Sequence, residues 1–461
     1  MLRFLPVLLA ALTAAPLAAQ PALDLEPYRE AAERIQAAAL ADSVAFERTA
    51  HLCDYYPRRL SGSRMLEDAI DWLVGLAHAD GLDNVRTQDV TVPHWDRGEE
   101  SLMMNRPRPE PLPMLGLGGS VGTAEGGVTA DVLVVRTFDE LEARAAEARG
   151  RIVVFNAPFT TYGATVRYRV DGPSAAARHG AVAVLVRSIT QVSLQTPHTG
   201  MLRYAEDAPR IPAAAITIEG AELLQRFQDR GDRPVVTLQM GARTLPDALS
   251  RNVIAEVEGR ERPQEVVVLG GHIDSWDVGQ GAHDDAAGVL VTYEAVRLLQ
   301  RLGLRPRRTV RFVAWTNEEN GLQGARVYRA SLSDEELYNH VLALESDSGV
   351  FEPVNFGVTA SDEAFATLRA IEPLLLPVLS EGETRQRGVV RGGGGADIGP
   401  LMAEGVPGVG FHTDDGRYFW THHTEADTVD KLDPGEMARA VAAIATFIYV
   451  VAEMPERLPR N

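Results

Sequence analysis

Apolar residues recur at Ala286, Val289, Leu290, Tyr293, Val296 and Leu299, the spacing of one face of a helix. The segment after Asp285 is therefore predicted to be an amphipathic helix. Residues 437–451 read as a similar closing helix, and 28–50 and 63–80 carry helical spacing with few breakers, separated by a turn at 57–63. Other runs are shorter and apolar without alternation: 252–257, 265–269, 309–315 and 341–344. Such runs predict strands buried on both faces, and their interleaving with helices predicts an α/β fold. The expected architecture is a mixed, mostly parallel central sheet flanked by helices.

The pattern changes near residue 106. A proline-dense stretch (106–113) and a glycine-rich one (116–127) can continue neither periodic element, which suggests a boundary. From 110 to 245, short β-rich runs alternate with short helical ones. That block holds no cluster of candidate ligands. Its His179 and His198 stand alone and are expected at the surface or the edge of a core. The implied organisation is a signal peptide (1–19), a first part of the main unit (20–109), an inserted β-rich unit (110–245) and the remainder of the main unit (246–461).

The N-terminal assignment rests on a basic start at Arg3, an apolar run over 4–15 and a small-residue region ending near Ala19 or Gln20. Export is the expectation, to a secreted or periplasmic location. No other stretch reads as long enough to span a membrane. The single cysteine, Cys53, excludes an intrachain disulfide and reads as a buried thiol. A net charge of −19 argues against a nucleic-acid partner, which would require a basic face.

Candidate chemistry concentrates in four separated segments. G-G-H-I-D supplies His272 and Asp274, and G-A-H-D-D-A-A-G supplies Asp284. W-T-N-E-E-N-G supplies Glu318 and Glu319, E-S-D-S-G supplies Asp347, and T-H-H-T-E-A-D-T supplies His423. Most follow directly on predicted strands, where open α/β sheets build their sites. Imidazoles mixed with carboxylates suit zinc. The set is large enough for two ions, with one carboxylate to spare, as a two-metal hydrolase requires.

These motifs, in this order, resemble the co-catalytic zinc exopeptidases, the family of bacterial leucyl aminopeptidases and glutamate carboxypeptidases. S-W-D-V-G-Q-G-A and Y-F-W-T-H-H-T resemble its plasma glutamate carboxypeptidase branch. The resemblance implies two Zn2+ per chain with Asp284 bridging, His272 and Asp347 on one ion, and Glu319 and His423 on the other. It implies Glu318 as general base, a cis Asp284–Asp285 peptide, and Asp274 orienting His272 through a hydrogen bond. His283 and His422 adjoin ligands without binding metal. Tyr418 is expected to assist the oxyanion, and Asp397, after the glycine loop 392–395, to lie near substrate. Residues 275–277 and 418–420 are further candidates for a pocket lining. The 110–245 block would be a protease-associated domain. The implied activity is exopeptidase cleavage of short peptides, of carboxypeptidase or dipeptidase type, with aminopeptidase action as the alternative. A glutaminyl cyclase or an inactive receptor-like relative is disfavoured by the complete ligand set. A homodimer is also implied.

Overall fold

A computed structural model describes residues 23–383 and 385–460; the proposed signal peptide lies outside the described residues. Two eight-stranded sheets organise the chain. In the first, the strands run in the order Asp83–Asp96, Arg243–Val257, Arg308–Trp315, Arg262–His272, His340–Glu345, Gly408–Thr413, Pro353–Thr359 and Gly388–Arg391. The middle four are mutually parallel, with Leu269 opposite both Phe312 and Leu344. Antiparallel pairings on either side make the sheet mixed.

The continuous apolar runs have a direct explanation. Val267 and Leu269 face a core with the helices Ala287–Arg301 and Pro434–Glu453, whereas Val266 and Val268 face a second one with Ala325 and Tyr328. Successive side chains of a strand point to opposite faces, so a sheet covered on both sides needs apolar residues at every position. Each such side chain contributes about 1.5–3 kcal/mol on burial.

Helical periodicity over 28–50 resolves into two helices, Glu26–Leu40 and Val44–Tyr55. The break falls at Asp42, whose Oδ1 accepts the Val44 N–H at 2.8 Å while its carboxylate pairs with Arg301 at 2.7 Å. Cys53 is fully buried in the main core. The helix Pro434–Glu453 corrects the expectation that nothing beyond the N-terminus is long enough to cross a membrane. Its 20 residues have mean hydropathy 1.5 in the most apolar window, but 78% of that window is buried inside the fold. It is the core helix against which Glu26–Leu40 and Ala287–Arg301 pack.

The second sheet runs from Glu100–Arg106 to Val235–Met240, which pair antiparallel. It therefore begins before the proline-dense stretch, which lies within it. The chain passes between the sheets at Gly98 (φ 64°), where a Cβ would sit 2.7 Å from the Gly241 carbonyl oxygen. Only glycine suits that positive φ and close approach. Trp276 ties the sheets together. It is 2% exposed within a core of the second sheet, and Asp277 beside it pairs with Arg97 at 2.5 Å. The 275–277 segment is thus a joint between the sheets, and Trp276 also lines a small pocket beside Asp284, Glu319 and His423.

Candidate metal centre and its cavity

The four parallel strands deliver the candidate residues to one end of the sheet. His272 closes its strand, Glu318 and Glu319 follow the strand ending at Trp315, and Asp347 follows the one ending at Glu345. His423 arrives from the loop after the short helix Tyr418–Thr421. Asp284 lies at the start of the helical segment that leads into Ala287–Arg301, and its peptide bond to Asp285 is cis, as the resemblance implies.

Asp284 is the pivot. Its Oδ1 lies 3.2 Å from His272 Nε2, which is itself 3.5 Å from Asp347 Oδ1. Its Oδ2 lies 3.1 Å from His423 Nε2, which is 3.1 Å from Glu319 Oε2. The two carboxylate oxygens thus face two different donor pairs. Asp285 points the other way: its Oδ2 accepts the His272 N–H at 3.1 Å. Helix Ala287–Arg301 packs tightly on it, since a Cβ on Gly288 would come within 2.1 Å of both Asp285 Oδ1 and the Ser346 carbonyl oxygen.

Both imidazoles are held in the tautomer that frees Nε2. His272 Nδ1 donates to the Asp274 backbone carbonyl at 3.0 Å, and His423 Nδ1 faces the Thr199 carbonyl at 3.3 Å. The first contact corrects the role expected of the Asp274 side chain. Its carboxylate stands 3.8 Å from His272 Nδ1 and instead accepts the backbone N–H groups of Glu318 (3.0 Å) and Glu319 (3.3 Å). Asp274 therefore fixes the loop that carries both glutamates.

The donor set fits a cation. Asp284 Oδ2 and Glu319 Oε1 are buried without a well-formed hydrogen bond, which is costly unless something positive completes them. Burial, then the charge of Asp284, lifts Glu319 to about 7. Glu318 is pushed well above the usual carboxylate range by burial, with Asp347 and Glu319 adding to it and His272 opposing. So many acidic groups in one buried place are what divalent ions relieve. His422 also offers a nitrogen, but at 3.6 Å from Asp284 Oδ2, farther than His423, on which it stacks. His283 faces away, stacked on Phe351 with Nδ1 accepting the Val350 N–H.

A cavity of about 750 Å³ opens over this centre. Asp284, Glu318, Glu319, Asp347, Tyr418 and His423 line its floor and side. Burial keeps the Tyr418 hydroxyl protonated, its pKa well above the usual value. Phe419 also lines the cavity; Asp397 does not. Asp397 is buried with neither oxygen hydrogen-bonded, held protonated by burial and then by Glu345.

Sequence reasoning missed three contributions. Asp427, inside the H-T-x-x-D register, accepts the N–H groups of His283 (2.9 Å) and Asp284 (3.2 Å) and so holds the pivot. Arg59 is fully buried and its side chain bonds only to backbone carbonyls, among them Ile273 and Gly281 around the His272–Asp284 loop. The second sheet also reaches the site. Arg169 lines the cavity 3.5 Å from His423 Nδ1, and Thr199 holds that histidine. His198 is buried, kept neutral (pKa about 3) by burial and by His423. His179 is half-buried, its Nε2 3.0 Å from Glu142.

Comparison with known proteins agrees with this geometry. Residues 252–448 match the model of Peptidase family M28. The chain is 46% identical over 417 residues to carboxypeptidase Q of Mus musculus, covering 90% of this chain and 87% of that one. The crystal structure of a Peptidase M28 precursor from Shewanella amazonensis superposes with TM-score 0.89 at 34% identity, covering 95% of this chain and all of the other. A zinc aminopeptidase from Bacillus subtilis shares the fold, with TM-score 0.66 at 19% identity over 90% of this chain and 98% of its own.

Proposed function

The chain belongs to peptidase family M28 and is a metallo-exopeptidase, and from that premise we propose that it is an exported two-zinc enzyme removing the C-terminal residue of short peptides or splitting dipeptides. The observation that carries the two-ion reading is the division of Asp284, with Oδ1 toward His272 and Asp347 and Oδ2 toward Glu319 and His423. Each trio of protein ligands leaves room for water and substrate, as catalytic zinc sites do. Zinc held there supplies Lewis acidity to the scissile carbonyl and lowers the pKa of water.

The protein's own groups perform the proton transfers. Glu318, on the cavity wall and fixed by Asp274, takes a proton from the attacking water and delivers it to the departing amine nitrogen as the C–N bond breaks. The Tyr418 hydroxyl, kept protonated, donates to the developing oxyanion. The backbone carbonyls of Asp274 and Thr199 hold the two imidazoles with Nε2 toward the carboxylates.

C-terminal action is favoured by the similarity to carboxypeptidase Q across nearly the whole chain. Aminopeptidase action is the second reading, supported by 28% identity over 297 residues to a probable leucine aminopeptidase 2 of Aspergillus fumigatus. Export by residues 1–19, a protease-associated-like role for the second sheet, and a homodimer belong to the same proposal.

The test combines metal analysis, a Glu318→Gln variant and dipeptides blocked at either end. Two zinc ions per chain are expected, retained in the variant, with turnover lower by about 10²–10⁴-fold. Near-wild-type turnover would remove Glu318 as the base. Cleavage lost only on amine blocking would establish aminopeptidase action instead.

A further inference from the structure

A second and much smaller space adjoins the metal centre. It measures about 10 Å³, enough for one water and nothing larger. Trp276, Thr424 and Asp427 join Asp284, Glu319 and His423 around it. The last three also line the large cavity, so they form the partition between the two spaces. Trp276 is not among the residues lining the large cavity.

Most polar groups around the small space already have partners. The Thr424 hydroxyl donates to the Thr421 carbonyl at 2.7 Å and accepts the Ala426 N–H at 3.0 Å. The Asp427 carboxylate accepts the N–H groups of His283 and Asp284. His423 Nδ1 faces the Thr199 carbonyl. Among the described residues lining the space, three side-chain atoms are left: Trp276 Nε1, Glu319 Oε1 and Asp284 Oδ2.

The indole is the informative one. Trp276 is 2% exposed, and a buried indole N–H ordinarily finds an acceptor. Its benzene edge is locked against Gly118, where a Cβ would lie 2.0 Å from Cη2. A metal ion satisfies carboxylate oxygens but not an N–H, which it repels. An anion is excluded by the two carboxylates, and an ammonium group has no lone pair to offer the indole. The occupant must accept one hydrogen bond and donate others, and at this size only water does both.

Resting on the two-zinc reading above, we propose that this space is the site of one ordered water, which accepts the Trp276 N–H and donates to Glu319 Oε1 and Asp284 Oδ2. Three hydrogen bonds are usual for a buried water. Glu319 Oε2, 3.1 Å from His423 Nε2, is left as the oxygen for the ion shared with that imidazole. A carboxylate oxygen has two lone pairs, so Asp284 Oδ2 can serve water and ion together. Trp276 is thus a positioning residue: through the water it fixes the Glu319 carboxylate, and it ties the joint between the sheets to one of the two metal positions.

The test begins with high-resolution diffraction from the zinc-loaded wild type, which should show a water about 3 Å from both Trp276 Nε1 and Glu319 Oε1. Two variants then remove the N–H: Trp276→Phe, and replacement of Trp276 by benzothienylalanine, a sulfur isostere that keeps the shape of the ring. In both, the zinc position at Glu319 and His423 should lose about 10–100-fold in affinity, while the position at His272 and Asp347 stays near wild type. Chelator competition measures the two constants, and anomalous diffraction at limiting zinc identifies the position that empties. KM for a dipeptide at saturating zinc should not change, because Trp276 does not reach the substrate cavity. An isostere that binds both ions like the wild type would overturn the proposal, as would equal losses at both positions. A wild-type structure with no water there, or with Nε1 bonded to a protein acceptor, would overturn it too. If the wild type holds fewer than two zinc ions, the two-zinc reading falls by itself, and the water beside Trp276 alone decides the site.

Discussion

Arg59 offers the sharpest test of how the centre is held. Its side chain makes four hydrogen bonds, all to carbonyls: Nε to Ile273 (2.8 Å), Nη1 to Tyr56 (3.1 Å) and Gln280 (2.8 Å), and Nη2 to Gly281 (3.1 Å). Three of these acceptors lie in the segment joining His272 to Asp284. In Arg59→Met the apolar stem is retained, but four acceptors, two in buried and two in part-buried hydrogen bonds, lose their donors. At the low end of the penalty for an orphaned acceptor, about 1 kcal/mol each, the loss is about 4 kcal/mol. Burying the guanidinium is itself unfavourable, as the lowering of its pKa by burial indicates, so the low end is the appropriate choice. With an unfolding entropy of about 2.1 cal/mol/K per residue over 461 residues, this corresponds to a fall in Tm of roughly 4 °C. Thermal and urea unfolding should be read together with zinc content and turnover. Arg59→Lys, with donors on a single nitrogen, should fall between the two. A loss below about 1 kcal/mol with metal and activity intact would refute the claim that Arg59 organises this loop.

Two further outcomes follow from packing and titration. Gly288→Ala should lose metal affinity and activity together, because its Cβ meets Asp285 Oδ1 and the Ser346 carbonyl oxygen, neither at a flexible side-chain end; zinc titration and turnover unchanged from wild type would contradict the geometry. His340 is buried, its Nε2 at 2.9 Å from the Tyr328 hydroxyl and its Nδ1 at 2.8 Å from the Glu336 carbonyl. Burial lowers its pKa from 6.5 to about 4. The unfolded chain then binds the proton more readily, so this contribution is complete above pH 6.5 and is lost as pH falls toward 4. One such histidine steepens the dependence by up to about 1.4 kcal/mol per pH unit, and the pH dependence of stability in His340→Gln should be shallower by that amount over this interval. An unchanged slope would mean that His340 is already protonated in the folded protein.

Much of this protein is legible in its sequence because the relevant physics is local. The uninterrupted apolar runs at 265–269, 309–315 and 341–344 specify strands covered on both faces, and the 3.6-residue spacing after Asp285 specifies the helix that packs on them. Motifs placed directly after such strands must emerge at one end of a parallel sheet, so His272, Glu319 and Asp347 were bound to meet there. Tertiary structure alone decides what surrounds them. Periodicity reports that a side chain is buried, but its partner is set by the path of the chain across hundreds of residues. Thus Asp274, two residues after His272 in sequence, turns its carboxylate to Glu318 and Glu319 instead, and the apolar Pro434–Glu453 becomes a core helix. Likewise Thr199 and Arg169, in a block without a ligand motif, sit against His423 because the second sheet is folded over the first.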